Sequence, residues 1–299
     1  MMLLIGADSE IGAATLRHMK RAGQPVQGTT RRGSAGLLPL DLSRPLDGWA
    51  PPAGTEAACI FVAVARLATC AADPDGSAHI NVTQTLALVD RLVATGAHVL
   101  FLSTNQVFDV AAAHVPADAR RAPVSEYGRQ KARTEAAIER LTAAGAPVSI
   151  LRLSKVVSPD MPLIHGWAKA LRSGEPIRPF SDMTMAPVET AMVAEAIAAL
   201  MNARAPGIFQ LTGRTDVTYA DVARRVARGV GAAPELVEPV LAASAGMPDG
   251  ATPHHTTLAS SALHEQFGIA APGPWQVIDR IVELTGIESA ATDTMPDIQ

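Results

Sequence analysis

The 299-residue sequence predicts an α/β protein built on a doubly wound parallel sheet, and three observations lead there. Short β-branched or apolar runs alternate with longer stretches of helical period. A glycine stands just ahead of a new strand at three helix ends: Gly23 before Pro25, Gly96 before His98 and Gly145 before Pro147. A glycine-flanked turn, Gly6 to Gly12, joins the first strand to the first helix. In order, residues 3–5 read as a strand, 11–22 as a helix, 26–30 as a strand, and a short third strand precedes Asp41. Residues 60–64 read as a strand, 82–94 as a helix and 99–103 as a strand. A helix starts near Glu126, a strand covers 148–153, a helix 190–201 and a strand 208–211.

The regularity breaks at 158–187, which is rich in Pro and Gly, and again after Gly213, where helical patterns cover about 219–230, 258–267 and 275–285. Residues 1–157, completed by about 188–212, are expected to form a dinucleotide-binding domain. Segments 158–187 and 213–288 would form a smaller, C-terminal substrate-binding region, because ligands of open α/β sheets sit beyond the carboxyl ends of the strands. Residues 289–299 read as a polar, flexible tail.

Bulk properties narrow the function classes. Hydrophobic residues at 48% against 18% charged suffice for a sizeable core. A net charge of −4 without basic clusters argues against nucleic acid or an anionic membrane surface as partner. No run of about 18 apolar residues occurs, and the chain enters a strand at once without a basic leader, so a cytoplasmic protein is expected, with a homodimer as the candidate assembly. Cys59 and Cys70 lack metal-ligand spacing and read as small buried hydrophobes; no metal is expected. Trp167 and Trp275, each on a helical pattern, read as core.

Gly6-Ala-Asp-Ser-Glu-Ile-Gly12 lies where a pyrophosphate would meet a helix N-terminus, placing Gly6, Ser9, Glu10, Ile11 and Gly12 in a phosphate loop. Ser9 stands at the middle glycine position, and its hydroxyl could donate to phosphate. After the second strand, Arg31 and Arg32 offer guanidinium groups to a 2′-phosphate where an acidic residue would prefer a ribose hydroxyl. NADP is therefore expected ahead of NAD. Asp41 and Leu42 would flank the adenine, and Ala63 and Ala65 would leave room for the cofactor.

Thr104 ends an apolar strand, and Tyr127 and Lys131 are four residues apart on the following helix, hence on one face. A nearby Lys cation would favour phenolate and lower the Tyr127 pKa from about 10. Thr104 would supply a second hydrogen bond to a substrate oxygen. Asn105 and Lys155 are the candidates for substrate contact, while Arg178 and His254 read as surface or packing residues.

Gly6 to Gly12, Asp41-Leu42, Asn81, Ser103-Thr104, Val107-Phe108-Asp109, Tyr127 to Lys131 and Arg152 together resemble the extended short-chain dehydrogenases/reductases, and among them the dTDP-4-dehydrorhamnose reductase branch of sugar-nucleotide enzymes. The resemblance covers the first 155 residues. It implies a Rossmann fold, Tyr127 as general acid, Lys131 as ribose-binding and Tyr-tuning residue, Thr104 as carbonyl-binding hydroxyl and Asn81 as a structural residue. Asn105 and Gln106 depart from the reductases' Asp-Tyr and from the Asp-Glu of related dehydratases, and amides cannot exchange protons at neutral pH. Lys155 stands where the family often has Trp, and Thr252-Pro253 where it has Arg-Pro. The expected activity is NADPH-dependent reduction of a keto group on a sugar nucleotide or related small molecule, an oxidoreductase step in carbohydrate biosynthesis. A non-catalytic NADP-binding regulator or sensor of the same fold and a sugar-nucleotide epimerase remain alternatives.

Overall fold

The computed structural model describes residues 1–34, 36–109, 111–246 and 252–284; the expected tail at 289–299 lies outside them. The strands are β1 (Met2–Ile5), β2 (Val26–Thr30), β3 (Leu37–Pro39), β4 (Ala57–Ile60), β5 (His98–Thr104), β6 (Val148–Leu153), β7 (Val156–Val157), β8 (Thr184–Met185), β9 (Val188–Glu189), β10 (Gly207–Leu211) and β11 (Val217–Thr218). The α-helices are α1 (Glu10–Arg21), α2 (Leu67–Ala72), α3 (Pro74–Ala78), α4 (Thr85–Ala94), α5 (Glu126–Ala143), α6 (Pro162–Arg172), α7 (Thr190–Ala203), α8 (Tyr219–Gly229), α9 (Ser261–Phe267) and α10 (Pro274–Leu284).

A seven-stranded sheet runs in the order β10-β6-β5-β4-β1-β2-β3, with every pairing parallel. The order reverses between β1 and β4, which opens a crevice at their carboxyl ends, where ligands of such sheets bind. Alternate side chains of the central strands enter opposite layers. Leu4, Cys59, Leu100 and Leu151 pack with Ile197 and Met201 of α7 and Met19 of α1. Leu3, Ile5, Phe101 and Ile150 pack with Leu88 and Leu92 of α4 and Ile138 of α5. With both faces covered, the strands read as near-continuous apolar runs. A separate cluster joins α6, α8 and α10 through Ile164, Leu171, Val222, Val226, Ile278 and Ile281. No helix among the described residues is long and apolar enough to cross a membrane.

Three elements differ from the sequence expectation. β4 ends at Ile60 because Val64, expected in the strand, is drawn off: its N–H donates to Asn81 Oδ1 at 2.8 Å and its carbonyl accepts from Asn81 Nδ2 at 2.9 Å. The helix expected from 82 begins with a π-helical segment, His79–Gln84, and becomes α-helical only at Thr85. Within this segment the Asn81 carbonyl accepts from Thr134 Oγ1 of α5 at 2.9 Å. α9 begins at Ser261 rather than near 258, because Leu258 bridges Val115 and its N–H donates to Thr212 Oγ1. Trp275, expected in the core, is 38% exposed; Trp167 is half-buried against the α6–α8–α10 cluster. Cys59 and Cys70 are buried and unpaired.

Candidate active site

At the β1–α1 turn Gly6 has φ +85°, and a Cβ there would stand 2.7 Å from Val62 Cγ2. A Cβ on Gly12 would stand 2.5 Å from the Gly6 carbonyl oxygen. Both positions need glycine, so the turn keeps the bare backbone that a pyrophosphate cradle requires. Ser9 is the α1 N-cap: its Oγ accepts from Gly12 N at 3.2 Å and donates to Gly6 O at 2.8 Å. Its hydroxyl proton goes to the turn's own Gly6 carbonyl, where the sequence suggested a phosphate oxygen as acceptor. The first-turn amides of Glu10 and Ile11 are the ones an α-helix leaves without a carbonyl partner. The Glu10 side chain is exposed and accepts from Thr190 Oγ1 at 3.3 Å.

A groove of about 330 Å³ leads away from this turn, lined by Gly6, Ser9, Arg31, Asp41, Leu42 and Ala63 among others. It continues into one of about 480 Å³ that shares Arg31 and Asp41 and adds Arg32, Arg44 and Trp49. Arg44 was not singled out in the sequence, since only the turn after Asp41 carries it to the other two arginines. Asp41 Oδ1 accepts from Ser43 N at 2.9 Å and Ser43 Oγ at 2.7 Å. These bonds, with Arg31 and Arg44 nearby, hold its carboxyl below the usual range. Ala65 lines neither groove: it is exposed beyond the point where Asn81 captures Val64.

The second half of the site is assembled where β5 meets α5. Thr104 ends β5, and its Oγ1 accepts from Gln106 N at 3.2 Å, capping the turn Asn105–Val107. Ser125 caps α5: its Oγ accepts from Gly128 N at 3.0 Å and donates to Gln106 Oε1 at 2.9 Å. A Cβ on Gly128 would lie 2.2 Å from the Gln106 carbonyl oxygen, so the first turn of α5 rests directly on the end of β5. That contact brings Tyr127 and Lys131 to the strand. Lys131 Nζ donates to Leu102 O at 2.8 Å, lies 4.4 Å from the Phe101 ring centroid and 5.9 Å from that of Tyr127. Burial pulls its pKa down to about 8, against an opposing pull from Glu135. The Tyr127 phenol is pushed above its ordinary range, chiefly by burial with the Cys70 thiol adding to it. The expected lowering by Lys131 is thus not what the fold produces, because desolvation of the phenolate prevails.

Behind these residues Glu135 is fully buried and accepts from Arg152 Nε at 3.0 Å and Nη2 at 2.8 Å, and from Arg121 Nη1 at 3.1 Å. Arg152 also donates to Ala117 O and Gln210 Oε1 and stands 4.9 Å over the Phe108 ring. Glu135 carries no signal in a sequence read for catalysis, yet it fixes α5 against β6.

A cavity of about 310 Å³ opens at the carboxyl ends of β5 and β6. Thr104, Asn105, Gln106, Ser154 and Lys155 form its sheet side; Met183, Thr184, Tyr219 and Thr256 come from the later segments. Tyr127 and Lys131 are not among its lining residues. Arg178 is exposed in an ion pair with Glu238, and His254 is exposed; neither lines the cavity.

A seven-stranded parallel sheet with a glycine-shaped turn at its reversal and Thr, Tyr and Lys gathered at the neighbouring strand end defines a Rossmann-type α/β protein. The chain belongs to the family described as RmlD substrate binding domain, which it matches over residues 1–283. It is 29% identical over 157 residues to a probable low-salt glycan biosynthesis reductase, Agl14, of Haloferax volcanii; the match covers 50% of this chain and 51% of that protein, so the chain spans about half the length of the curated relative it matches. Among solved structures it resembles a dTDP-4-dehydrorhamnose reductase of Clostridium acetobutylicum, with a TM-score of 0.81 and 18% identity over 95% of this chain and 99% of that one. The dTDP-4-dehydrorhamnose reductase of Bacillus anthracis, solved in complex with NADP, has a TM-score of 0.81 at 15% identity, again over 95% and 99%.

Proposed function

We propose that the chain is an NAD(P)-dependent oxidoreductase of the extended short-chain dehydrogenase/reductase type that uses NADPH to reduce a keto group on a sugar nucleotide. The observation that carries this reading is the docking of α5 on the end of β5, which brings Tyr127 and Lys131 to the strand that ends in Thr104, in the same sheet as the glycine-shaped turn. Family membership and the relatives named above support it. The residues fit the cofactor: the backbone at Gly6, Ser9 and Gly12 and the free amides of Glu10 and Ile11 would hold the pyrophosphate. Arg31 and Arg32, with Arg44, would hold a 2′-phosphate, Asp41, Leu42 and Ala63 would line the adenosine end, and Lys131 would hold the ribose. When bound, the cofactor supplies the hydride.

The protein's own part is orientation and proton transfer. Tyr127 enters the reaction protonated, because burial disfavours its phenolate. A phenol held neutral is suited to give a proton to the oxygen of a carbonyl undergoing reduction. Thr104 Oγ1 lines the cavity, with its proton on Asn105 Oδ1 at 3.3 Å, and would turn to donate the second hydrogen bond to that oxygen, giving the developing alkoxide two donors. Lys131 would stabilise the negative charge left on Tyr127. No carboxylate lines the cavity among the described residues, and Asn105 and Gln106 cannot shuttle protons, so reduction suits the site and dehydration does not. The test is to follow absorbance of reduced nicotinamide while the protein is offered NADPH and a set of nucleotide 4-keto sugars. Consumption of NADPH dependent on a keto sugar is expected; no consumption with any of them would favour a nucleotide-binding regulator over a reductase.

A further inference from the structure

Among the described residues that line the cavity at the ends of β5 and β6, one is charged, Lys155. Every other lining residue among those described is apolar, an amide, a hydroxyl or a phenol. Lys155 follows Leu153, the register partner of Thr104, by two residues, so its position lies just past the strand end at which the keto group would be held. Its Nζ makes no hydrogen bond or ion pair with a described residue, and the acidic group that acts on it electrostatically is Glu10, which does not line the cavity. Asn105 and Gln106 keep the two positions next to Thr104 free of negative charge.

A half-buried ammonium on the wall of an otherwise uncharged cavity, acted on by Glu10 but hydrogen-bonded to no anion among the described residues, favours an anionic oxygen that replaces its lost water. Building on the reductase reading, we propose that the cavity selects a sugar-nucleotide substrate with an anionic oxygen group beside the reacting carbon, and that Lys155 is the residue that selects it. The volume, about 310 Å³, is at the small end of small-molecule sites, which run from ~300 to ~1,000 Å³. A single sugar ring with its substituents suits that space better than a whole nucleoside diphosphate sugar, so the group is assigned to the ring, as a carboxylate. The other source of the same chemistry is the diphosphate of the nucleotide. Burial pulls the Lys155 ammonium below its ordinary range, and an arriving anion would reverse that pull.

The probes are UDP-glucuronic acid, UDP-glucose and UDP, titrated calorimetrically into the NADP-loaded full chain. The first two differ only in a carboxylate against a hydroxymethyl group. UDP-glucuronic acid is expected to bind at least tenfold more tightly than UDP-glucose, Lys155→Met to erase the gap and Lys155→Arg to keep most of it. Asn105→Asp, which returns a carboxylate to the cavity, should narrow the gap in a chain that retains Lys155. Equal affinities, with Lys155→Met weakening all three probes alike, would move the contact to the diphosphate and overturn the assignment to the ring. Equal affinities with no effect of Lys155→Met, or no binding of any probe, would overturn the role of Lys155. NADP binding is measured separately, so failure there would strike the reductase reading itself.

Discussion

Lys131 carries its charge in a place where compensation comes from the Leu102 carbonyl and the Phe101 ring, and burial brings its pKa to about 8. Unfolded, the same lysine titrates near ~10.4. Between the two values the unfolded chain holds more protons, so this group's contribution to stability rises as pH climbs from about 8 towards ~10.4. Cofactor binding has the opposite sign: ribose oxygens accept from the ammonium and raise its pKa, so binding takes up a proton. NADPH affinity should therefore fall as pH rises above about 8, by up to ~10-fold per unit. Fluorescence titration at pH 7 and 9.5 checks this; an unchanged Kd would show that Lys131 does not hold the cofactor. At this scale residue type and spacing were enough to single out Thr104, Tyr127 and Lys131 as candidates, and the fold brings the helix that carries the last two to the strand that ends in the first. It was not readable where the effect depends on burial, since the i,i+4 spacing suggests a lowered phenol pKa and only the packed fold shows desolvation prevailing.

The approach of α5 to the end of β5 is set by one residue without a side chain. Gly128→Ala would place a methyl 2.2 Å from the Gln106 carbonyl oxygen, a backbone atom that cannot swing aside. The first turn of α5 must shift, at a cost of ~1–3 kcal/mol in stability. Because that turn carries Tyr127, kcat should drop more than NADPH affinity does. A melting temperature and kcat equal to those of the parent would mean that α5 is not held in this way. The parallel strands and their helices were legible because their apolar runs and glycine stops follow from burial on both faces. The end of β4 and the π-helical start ahead of α4 were not, because they depend on Asn81 bonding Val64 and Thr134, partners distant in sequence. Arg44 and Glu135 were missed for the same reason: each gains its neighbours only when the chain folds.

Across the whole molecule, the sheet reversal between β1 and β4 and the later segments above β5 and β6 place a groove at the glycine-shaped turn and a small cavity at the carboxyl ends of the strands. The α6–α8–α10 cluster stands behind the cavity wall contributed by Met185 and Tyr219, so that wall rests on its own apolar packing. Dehydratases and epimerases share this architecture, so the fold leaves the reaction open and the side chains at the strand ends decide it. The central claim is that Tyr127 gives the proton in a keto reduction whose cofactor is held elsewhere. It is tested most directly by comparing the parent chain with Tyr127→Phe on a nucleotide 4-keto sugar, recording NADPH binding and NADPH oxidation on the same samples. The account predicts that the variant binds NADPH with nearly unchanged affinity and loses turnover by ~10²–10⁴-fold, the usual worth of a positioned acid. A variant that keeps most of the parent's turnover would contradict it.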